Sequence, residues 1–179
     1  IPQSDALITR TIGLPLIIYT ADCVPVLLYD PIEHALGLAH AGWRGTVGNI
    51  AGEVVAAMQA EFGTRPENLV VKLGPSIGPC CYEVGDEVID AWRSSGIVQW
   101  SEAIVPKEPR AHLDLWRANE LAFEAAGVPA DHVDHSGICT CCHAKRYFSR
   151  RAAQGHRGLF ATIAQLQPRP DGGGVQDDN

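Results

Sequence analysis

The sequence has no apolar run long enough to cross a bilayer. Its longest, Leu14–Tyr19 with Val24–Tyr29, is interrupted by Asp22, whereas a spanning helix needs roughly 20 consecutive apolar residues. The opening Ile1-Pro2-Gln3-Ser4 has neither a basic stretch nor an apolar core, so no signal peptide is read there. Positive charge is short: 14 Lys and Arg stand against 21 Asp and Glu, a net charge of −7. That excludes non-specific binding to nucleic acid or to an anionic membrane, though not a local basic pocket for phosphate. There is no internal repeat, no inner linker and no initiator Met. The last absence predicts a fragment or a processed product.

What is present describes one domain. The 179 residues, 46% hydrophobic and 20% charged, suffice for a real core. We place that domain at residues 1–166 and read 167–179 (QPRPDGGGVQDDN) as a disordered tail. The six cysteines cluster as Cys23, Cys80-Cys81, and Cys139 with Cys141-Cys142. Adjacent cysteines are not a secreted disulfide framework, so the expected compartment is the reducing cytoplasm.

Strand patterns occur at Leu14–Thr20, Val24–Tyr29, Ala35–His40, Asn68–Leu73, His132–Ile138 and Leu159–Ile163. Helical patterns occupy Val47–Phe62, with Thr46 as its expected cap and Gly63 as its stop, then Asp86–Ser94 and Leu115–Ala126. Helices and strands interleave, yet an early hairpin requires antiparallel pairing. The fold class is therefore α+β, with mixed rather than purely parallel sheets.

The hairpin carries the first chemical signal. A loop of Asp30–Glu33 would be closed by Tyr29 and His34, which places Leu27 opposite Leu36, Pro25 opposite Leu38 and Cys23 opposite His40. Opposed Cβ atoms lie about 4.5–5.5 Å apart. A thiolate and an imidazole so placed can share a metal ion, or act as a nucleophile and its base. Both residues stand where strands meet polar loops, the usual location of sites. A slip of one residue would put them on opposite faces.

Longer motifs narrow the choice. Thr20-Ala21-Asp22-Cys23-Val24-Pro25-Val26, His40-Ala41-Gly42-Trp43-Arg44-Gly45, Leu73 to Val84 (LGPSIGPCCYEV), and Cys139-Thr140-Cys141 followed by Tyr147-Phe148-Ser149-Arg150-Arg151 resemble the signature blocks of the YfiH-like family. The likeness runs from Asp5 to about Ile163. It implies an α-β sandwich of mixed sheets with outer helices, related to cysteine hydrolases of the cytotoxic necrotizing factor type. It also implies zinc-dependent purine nucleoside phosphorylase and adenosine deaminase activity, with a metal held by one Cys and two His. Matched by position, Cys23 and His40 are two of those ligands. The third, a His upstream of the Asp5-Ala6-Leu7 block, is expected before Ile1. Arg150 departs from the family, which has an aromatic residue at that position.

The remaining roles follow from residue chemistry. Arg44 is the expected catalytic and substrate-binding cation, since its fork matches phosphate oxygens. Asp22 is expected to be catalytic, as a general base or by orienting a ligand. Gly74 and Ser76 are expected to line the nucleoside pocket. Cys80 and Cys81 are read as structural thiols. Cys139-x-Cys141-Cys142-His143 has metal-ligand residue types, but a spacing read as too tight for a zinc knuckle, so a structural role is expected there too. The expected cofactor is zinc and the expected partners are a purine nucleoside and phosphate. A copper-dependent polyphenol oxidase is the alternative, disfavoured because none of the seven His forms a His-x-His pair. A metal-free cysteine hydrolase using Cys23 and His40 is another, and a binding module without catalysis a third.

Overall fold

A computed structural model describes residues 4–153 and 158–169. Its centre is a five-stranded sheet in the order β1-β4-β3-β5-β8, comprising Ala6–Thr9 (β1), Val24–Asp30 (β3), Ala35–Ala41 (β4), Val70–Leu73 (β5) and Val133–His135 (β8). All neighbours are antiparallel except β5 and β8. The mixed sheet read from the hairpin is thus present.

Period-two alternation divides the two faces. Val24, Val26 and Leu28 of β3, with Ala35, Ala39 and Ala41 of β4, are 0–1% exposed and face the helices. Two helices cover this face, Ile50–Phe62 (α2) and Leu115–Ala125 (α4), whose buried residues include Val54, Met58, Leu121 and Phe123. Gly37 permits this packing, because a Cβ there would lie 3.1 Å from the Met58 sulfur and 3.3 Å from Leu28. On the other face Leu36 and Leu38 meet Leu16, Ile18 and Leu166. That layer is a separate ribbon of Leu16–Thr20 (β2) and Phe160–Ala164 (β9), paired from Leu16↔Ala164 to Thr20↔Phe160. The result is an α-β sandwich. Among the described residues, no helix is long and apolar enough to cross a membrane.

Three local expectations change. Helix formation does not run unbroken from Val47. A short helix, Trp43–Val47 (α1), ends at Gly48, and α2 restarts after Asn49, whose φ of 63° and side-chain bond from the Gly52 N–H make it the cap. Thr46 is not the cap; its hydroxyl is buried between the Gly42 carbonyl and Asn119 Oδ1. β1, and the pair Ile104–Val105 (β6) with His112–Leu113 (β7), carry too few residues for a sequence pattern. The strand expected over His132–Ile138 is confined to Val133–His135, and Gly137 at φ 67° follows it. Asp86–Arg93 forms the remaining helix (α3).

Of the tail expected at 167–179, residues 167–169 lie against the β3–β4 turn. The Gln167 carbonyl meets His34, and Arg169 donates to the carbonyls of Pro31 and Ile32. Residues 170–179 lie outside the described residues, as do Ile1–Gln3 and His156.

Candidate functional site

The site begins in the turn before β3. Asp22 adopts φ 76°, a left-handed conformation that Asp tolerates better than most residues. Its carbonyl accepts from the Ile77 N–H at 2.9 Å. Its carboxylate accepts from the Thr140 hydroxyl at 2.7 Å and from the Arg151 N–H at 2.8 Å. Both carboxylate oxygens are therefore engaged. This suits the orienting role expected of Asp22 better than that of a general base, because the residue ties two distant loops to the turn that presents Cys23.

Cys23 is not directly opposite His40. The register pairs Pro25 with His40 and Val24 with Ala41, two residues from the expected alignment. The turn accounts for the difference. Asp30 pairs with Ala35, and its carboxylate accepts from the N–H groups of Ile32 and Glu33, while His34 takes φ 51° to close the loop. A shift of two residues preserves the face of every side chain. Cys23 and His40 therefore remain on one face as diagonal neighbours, a separation that longer side chains bridge.

The Cys23 thiol and the His40 ring also influence one another electrostatically. A hydrogen bond with the Cys23 thiol is the largest influence on the His40 ring; burial opposes it, Asp5 adds to it, and the imidazole pKa is raised to about 9. His40 Nδ1 lies 3.1 Å from Asp5 Oδ1, and the His40 N–H donates to the Asp5 carbonyl at 2.8 Å. With Nδ1 held by a carboxylate, Nε2 is left as the nitrogen for a metal or a proton transfer. A histidine ligand is commonly oriented in this way. A cleft of about 360 Å³, lined by Asp5, Leu7, Ile17, Tyr19 and His40, opens beside the ring. The Cys23 sulfur also packs on Gly42, where an added Cβ would sit 2.8 Å from it.

Around this pair stand Tyr82, Arg151 and Arg44. Burial pushes the Tyr82 phenol up to about 12; Cys23 and Asp22 add to the shift, and Arg151 and Arg44 oppose it. These groups therefore share one electrostatic neighbourhood. Arg44 is exposed on α1, its guanidinium 4.3 Å from the Trp43 ring centroid. The Arg151 guanidinium donates to the carbonyls of Cys81 and Glu83. Asp5, Tyr82 and Arg151 were not assigned from the sequence, although Tyr82 and Arg151 lie in the motif blocks that revealed the family and Asp5 stands where the likeness begins.

Gly74 is half-buried and Ser76 buried, and each is fixed by contacts of its own. The Gly74 N–H donates to the Pro25 carbonyl at 2.8 Å, and a Cβ at Gly74 would lie 2.8 Å from Pro25 Cγ. Its missing side chain thus serves loop-on-strand packing. Ser76 is 0% exposed, and its hydroxyl accepts from Trp116 Nε1 at 2.6 Å. It braces Trp116 from a fully buried position.

A second cluster was not expected. The sulfurs of Cys80, Cys81, Cys139 and Cys142 all lie within 4.8 Å of one another, a set able to hold a metal ion. The structure selects Cys139 and Cys142, which are spaced Cys-x-x-Cys; the supposed tightness came from counting Cys141, which stays out of the group. Among the described residues, Cys23 and His40 find no third His, Cys, Asp or Glu donor in a comparable group.

Residues 1–167 match the family described as multi-copper polyphenol oxidoreductase laccase. The chain is 45% identical over 148 residues to a protein of Bacteroides thetaiotaomicron named purine nucleoside phosphorylase, covering 82% of this chain and 55% of that protein. It is 41% identical over 149 residues to a protein from an unknown prokaryotic organism named adenosine deaminase RL5, covering 82% and 56%. The crystal structure of the Bacillus licheniformis hypothetical protein YfiH superposes with a TM-score of 0.87 at 36% identity, covering 92% of this chain and 62% of that one. The chain thus spans a little over half the length of these curated relatives. With motif blocks, fold and relatives in agreement, the chain belongs to the laccase-like, YfiH family.

Proposed function

We propose that the chain forms the metal-bearing part of a purine nucleoside enzyme acting on adenosine, inosine or a related nucleoside, with phosphate or water as the second substrate. The observation that carries the reading is the placement of Cys23 and His40 on one face of the hairpin, with the imidazole Nδ1 held by Asp5. The names of the relatives, purine nucleoside phosphorylase and adenosine deaminase, support the same reading.

Cys23 and His40 are the zinc ligands in this proposal, with a His upstream of Ile1 as the third. A thiolate with imidazole donors suits zinc, and copper is the alternative metal for the same atoms. Zinc so bound would supply a polarised water or a Lewis acid for an anionic oxygen. Asp5 orients His40, and Asp22 fixes the turn that carries Cys23. Arg44 binds the phosphate oxygens or the developing charge of the leaving base. Six free cysteines support a reducing, cytoplasmic setting.

The test uses the longest form of the protein that its gene encodes, incubated with inosine or adenosine, with and without phosphate. Base release or deamination that is lost in Cys23→Ala and His40→Ala is the expected result. Absence of both reactions in metal-replete protein would overturn the proposal. Metal analysis of protein purified without added copper separates zinc from copper.

One observation favours a second reading. A thiol against an imidazole that is oriented by a carboxylate is also the arrangement of a cysteine nucleophile, its base and an orienting group. A metal-free cysteine hydrolase, and kinship with the cytotoxic necrotizing factor type, would rest on it. Covalent labelling of Cys23 that is unchanged by chelator and by added zinc would select this reading.

A further inference from the structure

We propose that Cys80, Cys81, Cys139 and Cys142 form a closed, structural zinc site, separate from the Cys23–His40 pair, which clamps together the two loops that wall the active site. The geometry is the first argument. Four sulfurs in a tetrahedron about zinc, each at ~2.3 Å, lie about 3.8 Å from one another. Here the Cys80–Cys142 and Cys81–Cys142 distances are both 3.5 Å, and no pair in the group exceeds 4.8 Å. Small side-chain adjustments bring all four to one ion.

The alternatives account for less. A disulfide needs its sulfurs about 2.05 Å apart. Cys142 is equidistant from Cys80 and Cys81, so neither pairing is favoured. Either bond would strand the other two thiols, including buried Cys139. Cysteines acting as small hydrophobes would be buried, yet Cys80 and Cys142 are exposed. One ion engages all four.

The surroundings match a thiolate site. The Gly78 N–H donates to Cys139 Sγ at 3.3 Å, as amides do to metal-bound sulfur. Four thiolates around a divalent ion leave a net charge of about −2. Two cations stand ready: Lys107 Nζ donates to the Cys80 carbonyl at 3.4 Å and Arg151 to the Cys81 carbonyl at 3.1 Å. All-sulfur tetrahedral donors select zinc or iron over magnesium or calcium, and four protein ligands leave no open position for a reaction.

The loops concerned explain why such a clamp is useful. The segments 74–85 and 136–153 contain no helix or strand apart from isolated bridges. Both nevertheless hold Asp22, through Ile77, Thr140 and Arg151. Irregular segments of this length seldom hold one conformation unaided. Metal binding would supply folding free energy at that place.

The test begins with elemental analysis of protein purified without added metal under reducing conditions. The double variant Cys23→Ala/His40→Ala is expected to keep about one equivalent of zinc, and Cys142→Ser to lose it. Because the double variant lacks both proposed catalytic ligands, its result is independent of the nucleoside activity. Cobalt(II) added to that variant should give the intense absorption of tetrahedral thiolate coordination, and adding Cys80→Ser should weaken it. A second measurement needs no altered cysteine: chelator should make Cys80 and Cys142 of the unaltered protein reactive to iodoacetamide, and zinc should protect them again. Retention of full zinc by Cys142→Ser would overturn the proposal. So would a double variant with neither zinc nor a cobalt–thiolate spectrum, or a disulfide among these four cysteines in protein isolated from cells.

Discussion

Gly42→Ala gives a sharp test of the Cys23–His40 arrangement, because the residue has no conformational need to be glycine. Its φ of −79° and ψ of 173° are open to any L-amino acid. Replacing glycine at such a position typically gains about 0.4–1 kcal/mol through the unfolded chain, which offsets a loss of similar size from placing alanine, a poor N-cap residue, where glycine stood. Stability should therefore change little. The new Cβ, however, would sit 2.8 Å from Cys23 Sγ, whereas ordinary non-bonded contacts lie at about 3.5–4.0 Å. The sulfur must retreat by about 1 Å, many times the ~0.2 Å tolerance of a metal–ligand bond. Misplacement of this size is enough to cost ~100-fold in a reaction. Gly42→Ala should thus keep its Tm within about 4 °C, the equivalent of 1 kcal/mol at this size. Zinc affinity at the Cys23 site and kcat/KM for nucleoside should each fall ~100-fold. Zinc titration, thermal unfolding and steady-state kinetics on the same preparations measure all three. In Cys23→Ala the added methyl should have no further effect. Unchanged turnover in Gly42→Ala would refute the reasoning, and so would an equal loss with and without the Cys23 sulfur.

Asp5→Asn removes the carboxylate from His40 Nδ1; metal affinity at that site should drop about 10–100-fold, as measured by competition with a chelating dye, while the helix content seen by circular dichroism stays the same. Met58→Ala empties a fully buried position packed beside Gly37. It should cost about 2–5 kcal/mol in urea unfolding. Asn119→Ala removes the acceptor of the Thr46 hydroxyl and the donor to the Leu115 carbonyl. A loss of about 1–3 kcal/mol is expected, together with a higher KM for phosphate, because α1 carries Arg44.

The amino-acid sequence by itself determined the parts of this protein that depend on neighbours along the chain. Val24–Tyr29 and Ala35–His40 could be read as a hairpin because short apolar runs on either side of an Asp-Pro turn are local signals, and the strands extend one residue further, to Asp30 and Ala41. The face shared by Cys23 and His40 was legible for the same reason, since an error of two residues in register does not alter it. The motif blocks were enough to identify the family. Tertiary structure decided what depends on distant residues. Asp5 reaches His40 across 35 positions, and Asp22 meets Thr140 and Arg151 across 118 and 129. Cys80 finds Cys142 across 62. The burial of Ser76 was not legible because burial is a property of packing: a loop rich in Gly and Pro looks open in sequence, yet this one is folded against Trp116. Local signals set the period of a strand and the conformation of a turn. Which loops meet is decided only when the chain closes around the central sheet, and at this site that closure brings Thr140 and Arg151 to Asp22 and the four cysteines to one another.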